Sequence, residues 1–365
     1  MHGANLIRAL KKNDPGAEFR CFGGDMMKEA GASLFLHYRD MALMGGIEVL
    51  RRLPVVIKNR KLCRKDLLLY RSDVLILIDF SGFNLPMARF AAGNGIKVIY
   101  YISPKLWAWA KWRVKTVRTA VDKMIVNLPF EKDFYKDHGI DAEYFGNPVL
   151  DSITQFEEQY IEDNEFHKKN GLDGRKIIAL LAGSRKQEIS LLLPEMLSVV
   201  PYYKDYQFVI AGAPAISPAF YGKIIHANNV KIVYGKTYEL LKHSYAAVVT
   251  SGTATLETAL LGVPEVVVYK TSALTFFIGN FFVKVKYFSL VNLILNRDTV
   301  KELLQKNLAT GIRTELERIV FNSDYRSHML EDFDILRKKL GLPGVAGRVA
   351  KRITELVSSF ENHTS

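Results

Sequence analysis

An apolar run from Tyr245 to Thr250 leads into Ser251-Gly252-Thr253 and then a helix-forming stretch that carries Glu257 before Gly262 and Pro264. A small-residue turn at the C-terminal end of a strand lets a phosphate approach the backbone. The following helix offers unpaired N–H groups at its positive dipole end. Glu257 lies about one turn into that helix, where a carboxylate can accept hydrogen bonds from a ribose diol. Diphosphate plus ribose describes a nucleotide. A Walker Gly-Lys-Ser/Thr sequence is absent, so nothing points to phosphate cleavage. The same residues also fit an ordinary strand–turn–helix unit with a Ser or Thr cap. A second turn of this kind is Gly183-Ser184-Arg185. There Gly183 permits close backbone approach, Ser184 can donate to a phosphate oxygen and Arg185 can neutralise one.

Other chemistry lies in the first half. The run Val74–Ile78 ends at Asp79, with Asn84 five residues on. A carboxylate at the C-terminal edge of a parallel sheet sits where such sheets bind ligands. It can serve as general base toward an attacking hydroxyl, or simply brace the loop and cap the next helix. All three tryptophans, Trp107, Trp109 and Trp112, fall between Ser103 and Lys115 among basic residues, with no acid until Asp122. That composition suits base stacking, a sugar cleft, or a Trp-rich core turn beside a solvated basic helix. Residues 41–65 place Met44, Ile47 and Leu50 before Arg51, Arg52, Lys58, Arg60 and Lys61, with seven Lys/Arg in 51–65. An interfacial segment on an anionic membrane has this pattern, and so does a basic amphipathic helix covering a sheet.

Strands and helices must position these groups, and their rhythm is βαβ. Continuous β-branched runs such as Val74–Ile78, Lys97–Ile102, Lys176–Leu181, Val230–Tyr234 and Glu265–Tyr269 read as strands buried on both faces. The rhythm pauses at a polar, acidic helix, Asp151–Asn170, and then restarts. Two Rossmann-like domains facing a cleft follow. Residues 1–150 form one, with the membrane-facing segment at 41–65. Residues 151–170 connect it to the second, 171–345, and a terminal helix occupies 346–365.

The 365 residues suffice for two full cores. Fifty Lys and Arg against 38 Asp and Glu give +12, and the isoelectric point near 9.4 favours an anionic partner. Cys21 and Cys63 are the only cysteines, so a disulfide framework and zinc-ligand spacings are both excluded. No run is long and apolar enough to span a bilayer and no signal peptide is visible, so a cytoplasmic location is expected.

Taken in order, these motifs resemble the lipid-A-disaccharide synthases, membrane-surface glycosyltransferases of GT-B architecture. The resemblance spans nearly the whole chain. It rests on Met44-Gly45-Gly46-Ile47, Ile78-Asp79 with Phe83-Asn84, Ser103-Pro104 with Trp107-Ala108-Trp109, and Leu128-Pro129-Phe130-Glu131. In the second half it rests on Gly183-Ser184-Arg185, the turn from Ser251 to Glu257, Ser289-Leu290-Val291-Asn292 and Val300–Gln305. It implies a metal-free and cofactor-free enzyme that joins UDP-2,3-diacylglucosamine to 2,3-diacylglucosamine 1-phosphate with inversion. The products are UDP and a β-1,6 disaccharide 1-phosphate, made at the inner face of the inner membrane of a Gram-negative bacterium. Asp79 is then the catalytic carboxylate and Arg185 the diphosphate clamp. Gly183, Ser184, Ser251, Gly252, Thr253, Glu257, Asn292, Glu302 and Gln305 surround the nucleotide sugar. Asn84, Ser103, Trp107 and Trp109 belong to the acceptor side or cleft. No nucleic-acid partner is implied, and the oligomeric state stays open.

Members of that family begin with a strand and a Gly-Glu-Ala/Thr-Ser-Gly-Asp turn before the helix that here starts at Gly3. The chain begins at Met1-His2-Gly3, so the first sheet is expected to lack that strand, leaving a ladder row on each neighbour unpaired. Weakened folding or activity would follow. The competing readings are another GT-B UDP-sugar transferase or epimerase, and a shortened, inactive membrane- or nucleic-acid-binding relative.

Overall fold

Valine- and isoleucine-rich runs become buried parallel strands in both halves of the chain, because only a strand covered on both faces tolerates continuous apolar sequence. In the computed structural model, residues 1–38, 53–161, 165–226, 229–271 and 286–361 are described. They form two units, Met1–Asp151 with Leu340–Ser365, and Ser152–Lys339.

In the first unit, β3 (Val74–Ile78), β4 (Lys97–Tyr101), β5 (Lys123–Val126) and β6 (Ala142–Tyr144) form a parallel sheet in that order. Two apolar layers cover it. Phe83, Met87 and Leu106 join Leu77, Val98, Tyr100 and Met124 on one face. Leu6, Leu10, Val345, Val349 and Ile353 join Ile99, Tyr101 and Ile125 on the other. A separate parallel pair, β1 (Arg20–Gly23) and β2 (Ser33–His37), completes the described strands. No ladder joins this pair to β3 among the described residues. A small cluster of Ala4, Ile7, Cys21, Ala30 and Ala32 ties the pair to the helix His2–Asn13 instead.

The second unit holds six parallel strands: β7 (Lys176–Leu181), β8 (Tyr206–Gly212), β9 (Val230–Tyr234), β10 (Ser244–Thr250), β11 (Glu265–Tyr269) and β12 (Lys301–Leu304). Their order is β12-β11-β10-β7-β8-β9. Every residue of β7 after Lys176 is buried.

Several elements depart from the sequence pattern. The helix after β3 begins at once, at Ser81, and ends at Ala92, because Asp79 and Phe80 both take left-handed backbone angles and turn the chain sharply. The polar stretch Asp151–Asn170 contains two helices, Val149–Gln159 and Phe166–Lys169, with 162–164 outside the described residues. β2 and β12 were not legible as strands. The C-terminal helix, Val345–Glu361, belongs to the first unit, where Val345, Val349 and Ile353 form the apolar stripe just described.

Asp151 secures that helix. Its Oδ1 accepts the backbone N–H groups of Gly344 and Val345 at 2.7 and 2.9 Å, and Oδ2 accepts that of Ala346 at 2.8 Å. These amides have no intrahelical acceptor and would otherwise need water. Replacement of Asp151 by Ala is expected to lower the unfolding free energy by about 1–2 kcal/mol. A urea titration would show this as a lower midpoint at unchanged slope, and an unmoved midpoint would show that water replaces the cap.

Candidate active site

At the centre of the second unit's sheet β7 pairs with β10, and the strand order reverses there. β8 and β9 continue on one side, β11 and β12 on the other. Open parallel sheets bind ligands beyond the C-terminal strand ends at such a switch point. The two glycine turns picked out in the sequence leave these two adjacent strands.

After β7, Gly183 has φ +102°, and a Cβ there would lie 2.5 Å from Glu188 Oε2. Glu188 accepts the Ser184 N–H at 3.2 Å and one Arg185 Nη1 hydrogen bond at 3.1 Å. It orders the turn and holds the exposed Arg185 beside it, while most guanidinium donors stay available. After β10, Gly252 has φ +151°, and a Cβ would meet nothing within 4 Å. Gly252 caps the helix Thr253–Leu260 with no side-chain hydrogen bond, and Thr253 is exposed. Ser251 does not act as the cap, because its hydroxyl donates to Phe288 O at 2.8 Å. One turn in, Glu257 Oε1 accepts the Tyr238 hydroxyl at 2.6 Å. Burial raises the Glu257 pKa and the Tyr238 hydrogen bond opposes that rise. One carboxylate oxygen is thus oriented from within the protein. Tyr238, 19 residues earlier in the chain, carried no sequence signal.

The polar residues further along are committed to backbone. Glu302 accepts the N–H groups of Phe288 and Ser289 at 2.8 and 2.9 Å, and also Asn292 Nδ2 at 2.9 Å. Asn292 is fully buried; its Oδ1 accepts Thr299 N and Val300 N, and its Nδ2 also donates to Val300 O. Gln305 grips both backbone polar groups of Thr271. Glu302, itself held by Asn292, braces the segment around Phe288, to which the Ser251 hydroxyl is bonded, whereas Gln305 holds Thr271.

In the first unit three neighbouring strands, β3, β4 and β5, deliver their C-terminal turns to one edge. Asp79, at φ +47°, donates its N–H toward Tyr101 O and Ile102 O, and its carbonyl accepts the Tyr100 hydroxyl. Asn84 Nδ2 donates to Ile78 O at 3.0 Å and Asp79 O at 2.9 Å. Asn84 therefore shapes the turn that presents the exposed Asp79 carboxyl. Loss of hydration raises its pKa, Lys105 and the Phe80 N–H pull it down, and Glu131 pushes it up again.

Glu131 organises the next two turns. It is fully buried. Its Oε1 accepts Lys105 Nζ at 3.1 Å and Trp107 Nε1 at 2.9 Å, and its Oε2 accepts Leu128 N at 3.0 Å and Asn127 N at 3.3 Å. Lys105 also donates to Asn127 Oδ1 at 2.7 Å. Trp107 meets Phe130 edge-on, with ring centres 5.0 Å apart. Ser103 is fully buried, next to the Tyr135 whose hydroxyl bonds Pro104 O. Of Trp109 only the backbone is described. Met44, Ile47, Leu50, Arg51 and Arg52 lie outside the described residues. Lys58, Arg60 and Lys61 lie on the helix Leu53–Tyr70, with Lys58 and Lys61 exposed and Arg60 half-buried. Lys105 and Glu131 were visible only as members of longer motifs. The signal for Glu131 was an acid in the first turn of a helix, three residues after the amide it caps.

Solved structures share this architecture. A putative UDP-N-acetylglucosamine 2-epimerase from Listeria monocytogenes superposes with a TM-score of 0.65, covering 99% of this chain and 93% of its own at 13% identity. The kitacinnamycin glycosyltransferase superposes with a TM-score of 0.61, covering 97% and 96% at 14% identity. The two Rossmann-like units are those of the GT-B glycosyltransferases and epimerases. Sequence separates these classes. The family model described as Lipid-A-disaccharide synthetase matches residues 1–332. The lipid-A-disaccharide synthase of Syntrophus aciditrophicus is 38% identical over 370 residues, covering 99% of this chain and 96% of that protein. That of Myxococcus xanthus is 35% identical over 364 residues, covering 98% and 94%. The chain belongs to the lipid-A-disaccharide synthase family, whose members are disaccharide-forming glycosyltransferases.

Removing the Glu131 carboxylate strands two backbone amides and an indole N–H, each worth about 1–3 kcal/mol if left buried without an acceptor. Glu131→Ala is therefore expected to destabilise the first unit by about 3 kcal/mol or more, read as a lower denaturation midpoint. Indifference of that midpoint would mean the turns after β4 and β5 hold without it.

Proposed function

We propose that the protein joins UDP-2,3-diacylglucosamine to 2,3-diacylglucosamine 1-phosphate, giving the β-1,6 lipid A disaccharide 1-phosphate and UDP. The observation that carries this reading is the Asp79 carboxyl, held on a left-handed turn at the strand edge where ligands bind, with its proton affinity raised by loss of hydration. Asp79 takes the proton of the acceptor 6-hydroxyl. The resulting oxygen attacks the anomeric carbon of the donor opposite the diphosphate, and the carbon–oxygen bond to UDP breaks with inversion. The leaving diphosphate lies over the Gly183 and Gly252 turns, where Arg185 and the amides of the helix Thr253–Leu260 meet its charge. Glu257, oriented by Tyr238, accepts the ribose hydroxyls. Asn292 and Glu302 act on the donor by bracing the segment around Phe288, and Gln305 by holding Thr271. Asn84 and Trp107 shape the acceptor side with Ser103 and Trp109. No metal or organic cofactor takes part.

Membrane association is part of the proposal. No helix among the described residues is long and apolar enough to cross a bilayer. On the helix Leu53–Tyr70, exposed Ile57, Leu68 and Leu69 alternate with exposed Lys58, Lys61 and Lys65, a pattern suited to shallow contact with anionic lipid at the cytoplasmic face of the inner membrane. The family match over residues 1–332 favours this donor and acceptor over those of an epimerase, which shares the fold at low identity.

Purified protein given both lipid substrates in mild detergent is expected to form disaccharide detectable by mass. Asp79→Asn should reduce turnover about a hundredfold or more. A base must be ionised to work, so kcat/KM should fall as pH drops through the Asp79 pKa. With that pKa raised, the acid limb should lie above the ordinary aspartate range near 3.9. Near-normal turnover of Asp79→Asn, with the limb retained, would place the base elsewhere. Consumption of a different UDP-sugar, with no disaccharide from these lipids, would favour another transferase of this fold.

A further inference from the structure

The carboxylate assigned to the donor ribose is not set by its own helix alone. Glu257 is half-buried on the helix Thr253–Leu260, and its Oε1 accepts the Tyr238 hydroxyl at 2.6 Å. Among the described residues no other hydrogen bond reaches this carboxylate. Oε2 and the second lone pair of Oε1 are therefore left for a ligand. Tyr238 is the second residue of the helix Thr237–Lys242, which follows β9. Burial raises its pKa and the charge of Glu257 raises it further, so the phenol keeps its proton and donates.

The ring that carries this hydroxyl is itself held. Phe156, in the part of the helix Val149–Gln159 that belongs to the second unit, meets Tyr238 edge-on with ring centres 5.5 Å apart. Phe156 also packs on Tyr160, at 5.1 Å. The Tyr160 hydroxyl and His243 Nε2 share a hydrogen bond of 2.8 Å, and the His243 ring stacks on Phe166 at 4.3 Å. His243 closes the short helix that Tyr238 opens, so aromatic contacts hold that helix at both ends. A donor ordered in this way loses no further freedom when a ligand arrives.

We propose that Tyr238 is a positioning residue that makes the donor site specific for a ribonucleotide, by fixing Glu257 so that its free lone pairs meet the ribose diol. This rests on the nucleotide reading given above and deepens it. A freely rotating carboxylate gains less from each hydroxyl, because it must be ordered as the ligand binds. A fixed, half-buried one is left with an unmatched acceptor when a hydroxyl is missing. Unmatched polar groups of this kind give a site its discrimination.

Binding of UDP and of 2′-deoxy-UDP, measured by calorimetry, tests the proposal without turnover. The parent should bind UDP about tenfold or more tighter than the deoxy form. Tyr238→Phe keeps the ring and its packing on Phe156, and should shrink that ratio severalfold. Glu257→Gln should shrink it as well, and adding Tyr238→Phe to Glu257→Gln should change it no further. Tyr203→Phe, which removes a tyrosine hydroxyl bonded to Arg313 O in the same unit, should leave the ratio at the parent value. In turnover, Tyr238→Phe should raise the donor KM and leave kcat and the acceptor KM near those of the parent. A parent-like ratio in Tyr238→Phe overturns the proposal. So does equal weakening of both ligands, which makes the hydroxyl a structural bond only. Should Tyr238→Phe fail to fold, Phe156→Leu, which loosens the same ring, takes its place, and an unchanged ratio there overturns the proposal. Absence of UDP binding in the parent overturns the nucleotide reading and this proposal with it. Ribose discrimination that survives Tyr238→Phe overturns this proposal alone.

Discussion

A carboxylate that accepts backbone N–H groups is the interaction on which this structure leans most heavily. Asp151 takes three amides at the start of the C-terminal helix, Glu131 takes two after β5, Glu302 takes two before the helix Leu290–Leu295, and Glu188 takes one after β7. Turns at the end of a parallel sheet leave amides with no ladder partner, and a charged acceptor forms the stronger kind of hydrogen bond with them. The loops that carry functional side chains are held by acids that themselves need not touch a substrate.

This division of labour gives the charge balance a local meaning. In a chain of net charge +12, Asp66, Glu131, Glu265 and Glu315 are the acids buried among the described residues, and Glu131 lies against two amides and a lysine. Lys105 shows both sides of it. The ammonium is anchored to Glu131 and Asn127, yet it also acts on Asp79 and lowers the proton affinity that dehydration raises. The competition is between loss of water and a nearby cation, and loss of water is the larger effect. The second unit uses the same device, with Tyr238 opposing the effect of burial on Glu257.

Much of the fold was legible in the sequence because parallel strands buried on both faces are written as continuous apolar runs. The bounds of β3, β7, β9 and β11 coincide with the runs read from the sequence. Asp79, Arg185 and Glu257 were legible as candidates because each follows a strand by a fixed, short interval. β12 was not, since Lys301-Glu302-Leu303-Leu304 has a charged face and only partial burial. The terminal helix was visible as a helix but not as part of the first unit, because which sheet an apolar stripe covers depends on residues more than 200 positions away. The roles of Asn292, Glu302 and Gln305 were also hidden: polar type suggests ligand contact, and only coordinates show that their donors and acceptors are already taken by backbone.

The sequence by itself determined the two βα runs, the glycine turns that follow their strands, the family, and the identity of the carboxylate at the first sheet's edge. These depend on local periodicity and on spacing within one turn, both carried by consecutive residues. Only the tertiary structure decided that β7 and β10 are neighbours, that Glu131 joins the turns after β4 and β5, and that Asp151 caps the C-terminal helix. Such pairings follow from which apolar faces bury together and which polar groups are left to be satisfied, and that balance is struck over the whole unit at once.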